Sequence, residues 1–171
     1  MSRVTSRWSG RGIAVPGSVD AIYVAARAGS EPQPVSVAVL EPARGIVGDR
    51  YYERAGTFSE KLKSSGDWEV TLIEREEIDR FLAHDNGVVE AGAFRRNIVT
   101  VGVRLNDLVG QRFEVGPALL EGLRLCEPCA HLARWHGPPV VSLMAHRAGL
   151  RARIVSRGEV RPGDKVVPRA V

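Results

Sequence analysis

Cysteine is almost absent: Cys126 and Cys129 are the only two in 171 residues. Two thiols cannot staple a small scaffold, so a disulfide-framed secreted class is excluded. Aromatic residues are also few, at 6%. They are not interleaved with basic clusters, and no nucleic-acid motif is present, so nucleic acid is not the expected partner. No apolar run reaches the ~20 residues that span a bilayer, so no membrane partner is expected. The opening residues, Met1 to Trp8, lack the apolar stretch of a secretory signal. A cytoplasmic protein is expected, and in that reducing compartment two thiols are functional rather than bridged. There is no internal repeat and no low-complexity block. Lysine is scarce as well, and the net charge of +4 rests almost wholly on arginine. Arginine favours bidentate contacts to phosphate or carboxylate, so a phosphate-bearing small ligand is the expected anionic partner.

What is present fits one soluble domain with a real core: 44% hydrophobic and 26% charged residues. Residues 1–17 are basic and Gly/Ser-rich and read as an arm preceding a single domain over 18–171. Short β-branched runs bounded by Gly, Pro or Asn predict strands at Val19–Ala26, Val35–Leu40, Trp68–Ile73, Phe94–Val101, Gln111–Val115, Ala118–Leu125, Leu150–Val155 and Lys165–Val167. Gly116-Pro117 predicts a tight hairpin turn. Ile78, Phe81 and Leu82 share one face of a predicted helix over Glu74–His84. Two more helices are predicted at Cys129–Trp135 and Val140–Ala148. Many short strands with little αβ alternation predict a mainly β fold with short helices, closed as a barrel.

The chemistry concentrates in Leu125-Cys126-Glu127-Pro128-Cys129-Ala130-His131-Leu132. Both cysteines lie here, three apart, with His131 two residues on. The spacing serves a metal-ligand pair, a redox dithiol, or one reactive thiol with a neighbour. Pro128 prevents a helix from running through the pair and suits a first helical position. That places Cys129 in a first turn, where free amides and the dipole favour a thiolate. Cys126, Cys129, His131 and His136 offer zinc donors, but all four lie within eleven residues, which hinders closing one tetrahedral site. A thioredoxin-like dithiol lacks its βαβ context. His146, on the third predicted helix, reads as a packed residue.

Elsewhere, Arg95, Arg96 and Asn97 precede an apolar strand. Residues two apart share a strand face, so Arg95 and Asn97 either face one ligand or form a solvated strand entry, the reading the residues alone favour. Gly45 to Tyr51 is a glycine-bracketed loop in which Gly48 supplies a positive φ and Asp49 bonds backbone amides, followed by Arg50. Ser64 and Ser65, next to Gly66, offer hydroxyls to an anion.

In their joint order these segments resemble the MOSC domain, named for the C-terminal part of molybdenum cofactor sulfurase. They are Gly48 to Arg50, Val70 to Glu74, Arg95 to Val99, Leu105 to Gly116, Cys126 to Cys129, His146 to Leu150, and Gly163-Asp164. The resemblance spans Ala14 to Val167. It implies a pyruvate-kinase-barrel-like β-barrel with small helices and a stand-alone member of the family. It implies molybdenum cofactor (molybdopterin) chemistry, with Cys129 as molybdenum ligand and catalytic residue and Cys126 as a weaker metal candidate. Arg95, Arg96, Asn97, Glu127, Pro128, Ser64, Ser65, Asp49, Arg50 and His131 are the implied cofactor-binding set. Glu127 departs from the expected chemistry, since an acid repels an anionic pterin phosphate unless turned away or paired. The implied activity is reduction of N-hydroxylated compounds, with an electron-transfer protein as partner. A sulfur carrier with a persulfide on Cys129, loaded by a pyridoxal-phosphate cysteine desulfurase, is the alternative. A non-catalytic small-molecule or zinc-binding barrel is the third reading.

Overall fold

The computed structural model describes residues 16–56, 66–85 and 89–169. The strands are β1 (Gly17–Val24), β2 (Gln33–Pro34), β3 (Ala38–Glu41), β4 (Gly45–Ile46), β5 (Val70–Glu74), β6 (Ile98–Val101), β7 (Arg112–Val115), β8 (Ala118–Leu125), β9 (Leu150–Ser156), β10 (Gly158–Val160) and β11 (Lys165–Pro168). The helices are α1 (Arg75–Asp85), α2 (Ala130–His136) and α3 (Pro139–Leu143), with single 3₁₀ turns at Ala91–Phe94 and Leu105–Leu108. Seven strands, in the order β11-β7-β8-β9-β5-β6-β1, close into a barrel through the pairing of β1 with β11. All neighbours are antiparallel except β5 and β6. A small sheet, β10-β3-β4, stands beside the barrel. Among the described residues no helix is long and apolar enough to cross a membrane.

Closure follows from the side-chain pattern. Val70, Leu72, Ile98, Phe113, Val115, Leu120, Leu150, Ala152 and Val166 pack as one buried cluster inside the barrel. A second cluster lies outside the wall, where Ile73 and Val99 meet Ile78 and Phe81 of α1, Leu132 of α2, and Val140 and Met144. Strands β5 and β6 are thus covered on both faces, which explains why apolar residues sit at adjacent positions, Leu72-Ile73 and Ile98-Val99, rather than alternating. Burying such a side chain contributes about 1.5–3 kcal/mol, so α1, α2 and α3 are held by packing rather than by their own short length. Gly116 takes a positive φ of 53° between β7 and β8, giving the expected hairpin.

Several boundaries differ from the sequence reading. Of the expected arm, residues 1–15 lie outside the described residues, and Gly17 already belongs to β1. Of the expected strand Val35–Leu40 only Ala38–Leu40 is strand, in β3; residues 35–37 link it to β2, and the Val35 amide still donates to the Ile22 carbonyl of β1 at 2.9 Å. The expected strand from Phe94 begins only at Ile98, since Phe94 closes a 3₁₀ turn and Arg95 is left-handed at φ 58°. The third helix stops at Leu143, not Ala148, because left-handed His146 and Gly149 turn the chain back into β9. Strands β4 and β10, of two and three residues, are too short to show a period.

Candidate functional site

Four chain segments meet at one end of the barrel. The end of β8 delivers Cys126, whose amide donates to the Gly149 carbonyl at 2.7 Å. That contact needs Gly149: a Cβ there would collide with the Leu72 carbonyl oxygen, and its φ is 110°. Cys126 is buried, whereas Cys129 is exposed, and both thiols are free. Cys129 caps α2 in an extended conformation, and its carbonyl accepts from the Ala133 amide at 3.0 Å. Its thiol makes no capping bond. Cys129 is therefore not in a first helical turn, and α2 runs for seven residues only. Arginines rather than further helical turns share the space beside Cys129.

Those arginines line a cavity of about 60 Å³ together with Cys126, Cys129, Glu127, His131, Leu132, Tyr51 and Thr71. They are Arg50, Arg95, Arg96 and Arg151. The space is several times the ~10–15 Å³ that admits one water, and far below the ~300–1,000 Å³ of drug-sized pockets. It suits a small anionic head with the rest of a ligand in the open mouth. Arg95 is buried, donates to the Ser30 carbonyl at 3.0 Å, and lies 5.5 Å from the centroid of the exposed Trp135 ring. Burial first, then the positive charge of Arg50, pulls its guanidinium below its ordinary pKa, with Arg96 adding to this and Tyr51 and Asp49 opposing. An anion in the cavity would relieve that crowding. Arg96 donates to the carbonyls of Ala148 (2.8 Å), Phe94 (3.2 Å) and Cys126 (3.5 Å), so it also pins the cysteine turn. Arg50 sits over the Tyr51 ring at 4.8 Å and bonds Asp49 at 3.3 Å. Arg151 donates to the Asp67 carbonyl at 3.1 Å.

The strand-face pairing of Arg95 with Asn97 does not hold, because neither residue is in a strand. The left-handed turn at Arg95 instead brings Arg95 and Arg96 together into the cavity wall. Asn97 is buried and consumed internally: its Oδ1 accepts from Thr71 N (3.2 Å) and Oγ1 (2.9 Å), and its Nδ2 donates to Tyr23 O (3.3 Å) and Asp49 Oδ2 (3.2 Å). Asp49 is a similar buried hub, accepting also from the amides of Ala25 and Tyr51, each at 3.1 Å. Gly48, at φ 84°, makes the loop's sharp reversal. Asn97 and Asp49 therefore brace the site, and neither is among the residues lining the cavity. Pro128 is half-buried in the turn. Ser64 and Ser65 lie outside the described residues.

Glu127 turns out to be paired, with His146 rather than an arginine. Its Oε1 is 2.7 Å from His146 Nδ1, and its Oε2 accepts from the His146 amide at 2.8 Å. Desolvation alone would raise the Glu127 carboxyl, but the bonds and charge of His146 win and hold it below its ordinary value. His146 is exposed, not packed, because α3 ends before reaching it. The His131 ring is pushed below its ordinary pKa by burial, then by Arg95, Arg134 and Arg50, which favours its uncharged form. His136 lies elsewhere, stacked on Phe94 at 4.4 Å with Nε2 3.0 Å from the Ala93 carbonyl. Its stacking removes it from the sulfurs, and among the described residues no three His, Cys, Asp or Glu side chains converge as a metal site. The four candidate zinc donors, which the spacing already disfavoured, are not assembled among the described residues. Arg151, Tyr51 and Thr71 were missed from sequence; only the outward alternation of Arg151 along β9 hinted at one of them.

A second cavity of about 520 Å³ is lined by Glu74, Glu77, Arg104, Asn106, Ala145, His146 and Arg147. Its charges are balanced within it: Glu77 pairs with Arg147 at 3.0 Å, and Asn106 Nδ2 donates to the His146 carbonyl at 2.9 Å.

The family model for the MOSC domain matches residues 59–167. Solved structures share the fold. YiiM from Geobacillus stearothermophilus superposes with a TM-score of 0.71 at 18% identity, over 91% of this chain and 76% of that one. The YUAD protein from Bacillus subtilis gives 0.71 at 16% identity, over 91% and 97%. YiiM from Escherichia coli gives 0.66 at 18% identity, over 91% and 70%. No curated protein matches significantly.

Proposed function

The chain belongs to the MOSC domain family, and on that premise we propose that it binds molybdenum cofactor through the Cys129 thiolate and supports reduction of N-hydroxylated compounds. One observation carries this reading: the exposed thiol shares a small cavity with four arginines, while the one carboxylate there is bound to His146. The donor set fits the cofactor. A single soft thiolate suits a high-valent molybdenum, and guanidinium forks suit the phosphate of the pterin. The enclosed volume takes an oxo-metal or phosphate-sized group, leaving the remainder of the pterin in the open mouth.

When bound, the molybdenum centre would supply two-electron cleavage of an N–O bond, with electrons from an electron-transfer protein and with amine and water as products. The chain's own residues do the rest. Cys129 would hold the metal from the capping position of α2. Arg50, Arg95 and Arg151 would neutralise and orient the anionic part. Arg96 keeps the turn in place through the Cys126 and Ala148 carbonyls. His131 stands in the same cavity as a proton acceptor or, once protonated, donor. Asn97 and Asp49 act behind the wall.

A second reading is a sulfur carrier with a persulfide on Cys129, loaded by a pyridoxal-phosphate cysteine desulfurase. The exposure of Cys129 favours it, because a persulfide must reach a partner. Reduction of an N-hydroxylated substrate by wild type, Cys129→Ser and Cys126→Ser separates the readings, with thermal melting as folding control. The cofactor reading expects loss to background in Cys129→Ser and substantial retention in Cys126→Ser. Equal loss in both counts against it and favours a two-thiol site.

A further inference from the structure

The cavity contains its own competitor for the anion it is built to take. Glu127 borders the same space as Arg96 and Arg151, and a glutamate has enough rotatable bonds to swing toward them. It is held back at two points by one residue, through the ring Nδ1 and the backbone amide of His146. His146 makes this double contact from a left-handed backbone, at φ 59°, a conformation in which histidine, asparagine and aspartate are enriched among non-glycine residues. Its own carbonyl is fixed by Asn106 on the 3₁₀ turn at Leu105–Leu108. Among the described ion pairs, that of Glu127 is with His146 and not with a cavity arginine.

We propose that His146 is a positioning residue that keeps the Glu127 carboxylate off the arginines, so that the Cys129 cavity stays open to an anionic ligand. This rests on reading the cavity as an anion site. Without the clamp, Glu127 would pair with Arg96 or Arg151 and act as an intramolecular inhibitor. Residue 146 then sets which charge of ligand reaches Cys129 without touching the ligand itself.

The test needs no bound cofactor. Cys129 is alkylated with iodoacetate, an anion, and with neutral iodoacetamide; in both the thiolate displaces iodide to form a thioether, read by mass on the Cys129 peptide. The ratio of the two rates reports charge selection at the sulfur and cancels general changes in exposure. His146→Gly suits the left-handed backbone and keeps the amide, removing only the ring; His146→Asn repeats the test if glycine loosens the turn. The expected result is anion preference in wild type and in Glu127→Gln. In His146→Gly the ratio should fall about fivefold, the upper size of one exposed ion pair, and His146→Gly with Glu127→Gln should restore it. A His146→Gly ratio equal to wild type, or a fall that Glu127→Gln does not rescue, overturns the clamp while leaving the anion site standing. No anion preference in wild type overturns both.

Discussion

The two cavities meet at the Glu127–His146 pair and are opposites in character. The larger, about 520 Å³, matches Glu74 and Glu77 with Arg104 and Arg147, and Glu77 is already bonded to Arg147. The smaller, about 60 Å³, sets four arginines beside an exposed thiol and ties its one carboxylate to a histidine. On the function proposed above, volume does not locate the chemistry in this molecule. An excess of positive charge next to a soft nucleophile does, with only Arg50 of the four paired to a described carboxylate, that of Asp49, because gathering like charges is costly unless a ligand completes the set.

The comparison breaks most visibly at its arginines. Arg95→Ala should weaken inorganic phosphate binding by about tenfold, since hydrogen bonds to charged groups contribute ~1.5–3 kcal/mol. Arg147→Ala, in the larger cavity, should leave it unchanged. Titration calorimetry on both variants decides; equal weakening would mean that the two cavities are not distinct in function.

Much of this contrast was legible in the sequence, and the illegible part has physical causes. The barrel was readable because β5 and β9 carry β-branched apolar residues and β8 is rich in leucine. Cys129 was singled out by scarcity and spacing. The pairing of Arg95 with Asn97 was misread because strand alternation was extended across a left-handed residue, and left-handed arginine has no sequence signature. Asp49 was expected to brace its loop, and it does, yet Asn97 shares that task through contacts 26 and 48 positions away. Arg151 and His146 reach the site only through the β8–β9 register and the turn before Gly149. Neither is local information, so neither could be read from a window of sequence.

A smaller effect sharpens the same contrast from the other side. Burial raises the Glu74 carboxyl above its ordinary value of 4.5, with the Leu105 amide bond and Arg104 opposing and Glu77 and Glu76 reinforcing. The folded chain then holds that proton more tightly than the unfolded chain. Its contribution to stability falls as pH rises from the ordinary value through the raised one. Glu74→Gln keeps an acceptor for Leu105 and removes the ionisation. Urea unfolding between about pH 4 and pH 7 should show a flatter slope in the variant, with no change in phosphate binding. A change in phosphate affinity would join the cavities that the charge pattern separates.

The central claim is that Cys129, among its arginines, holds a molybdenum cofactor. Metal and pterin analysis of the chain purified from a cofactor-producing host, as wild type and as Cys129→Ser, tests it most directly. The account predicts molybdenum and pterin together in wild type and neither in Cys129→Ser at an unchanged melting temperature. Equal molybdenum in the two proteins, or zinc in its place, would contradict it.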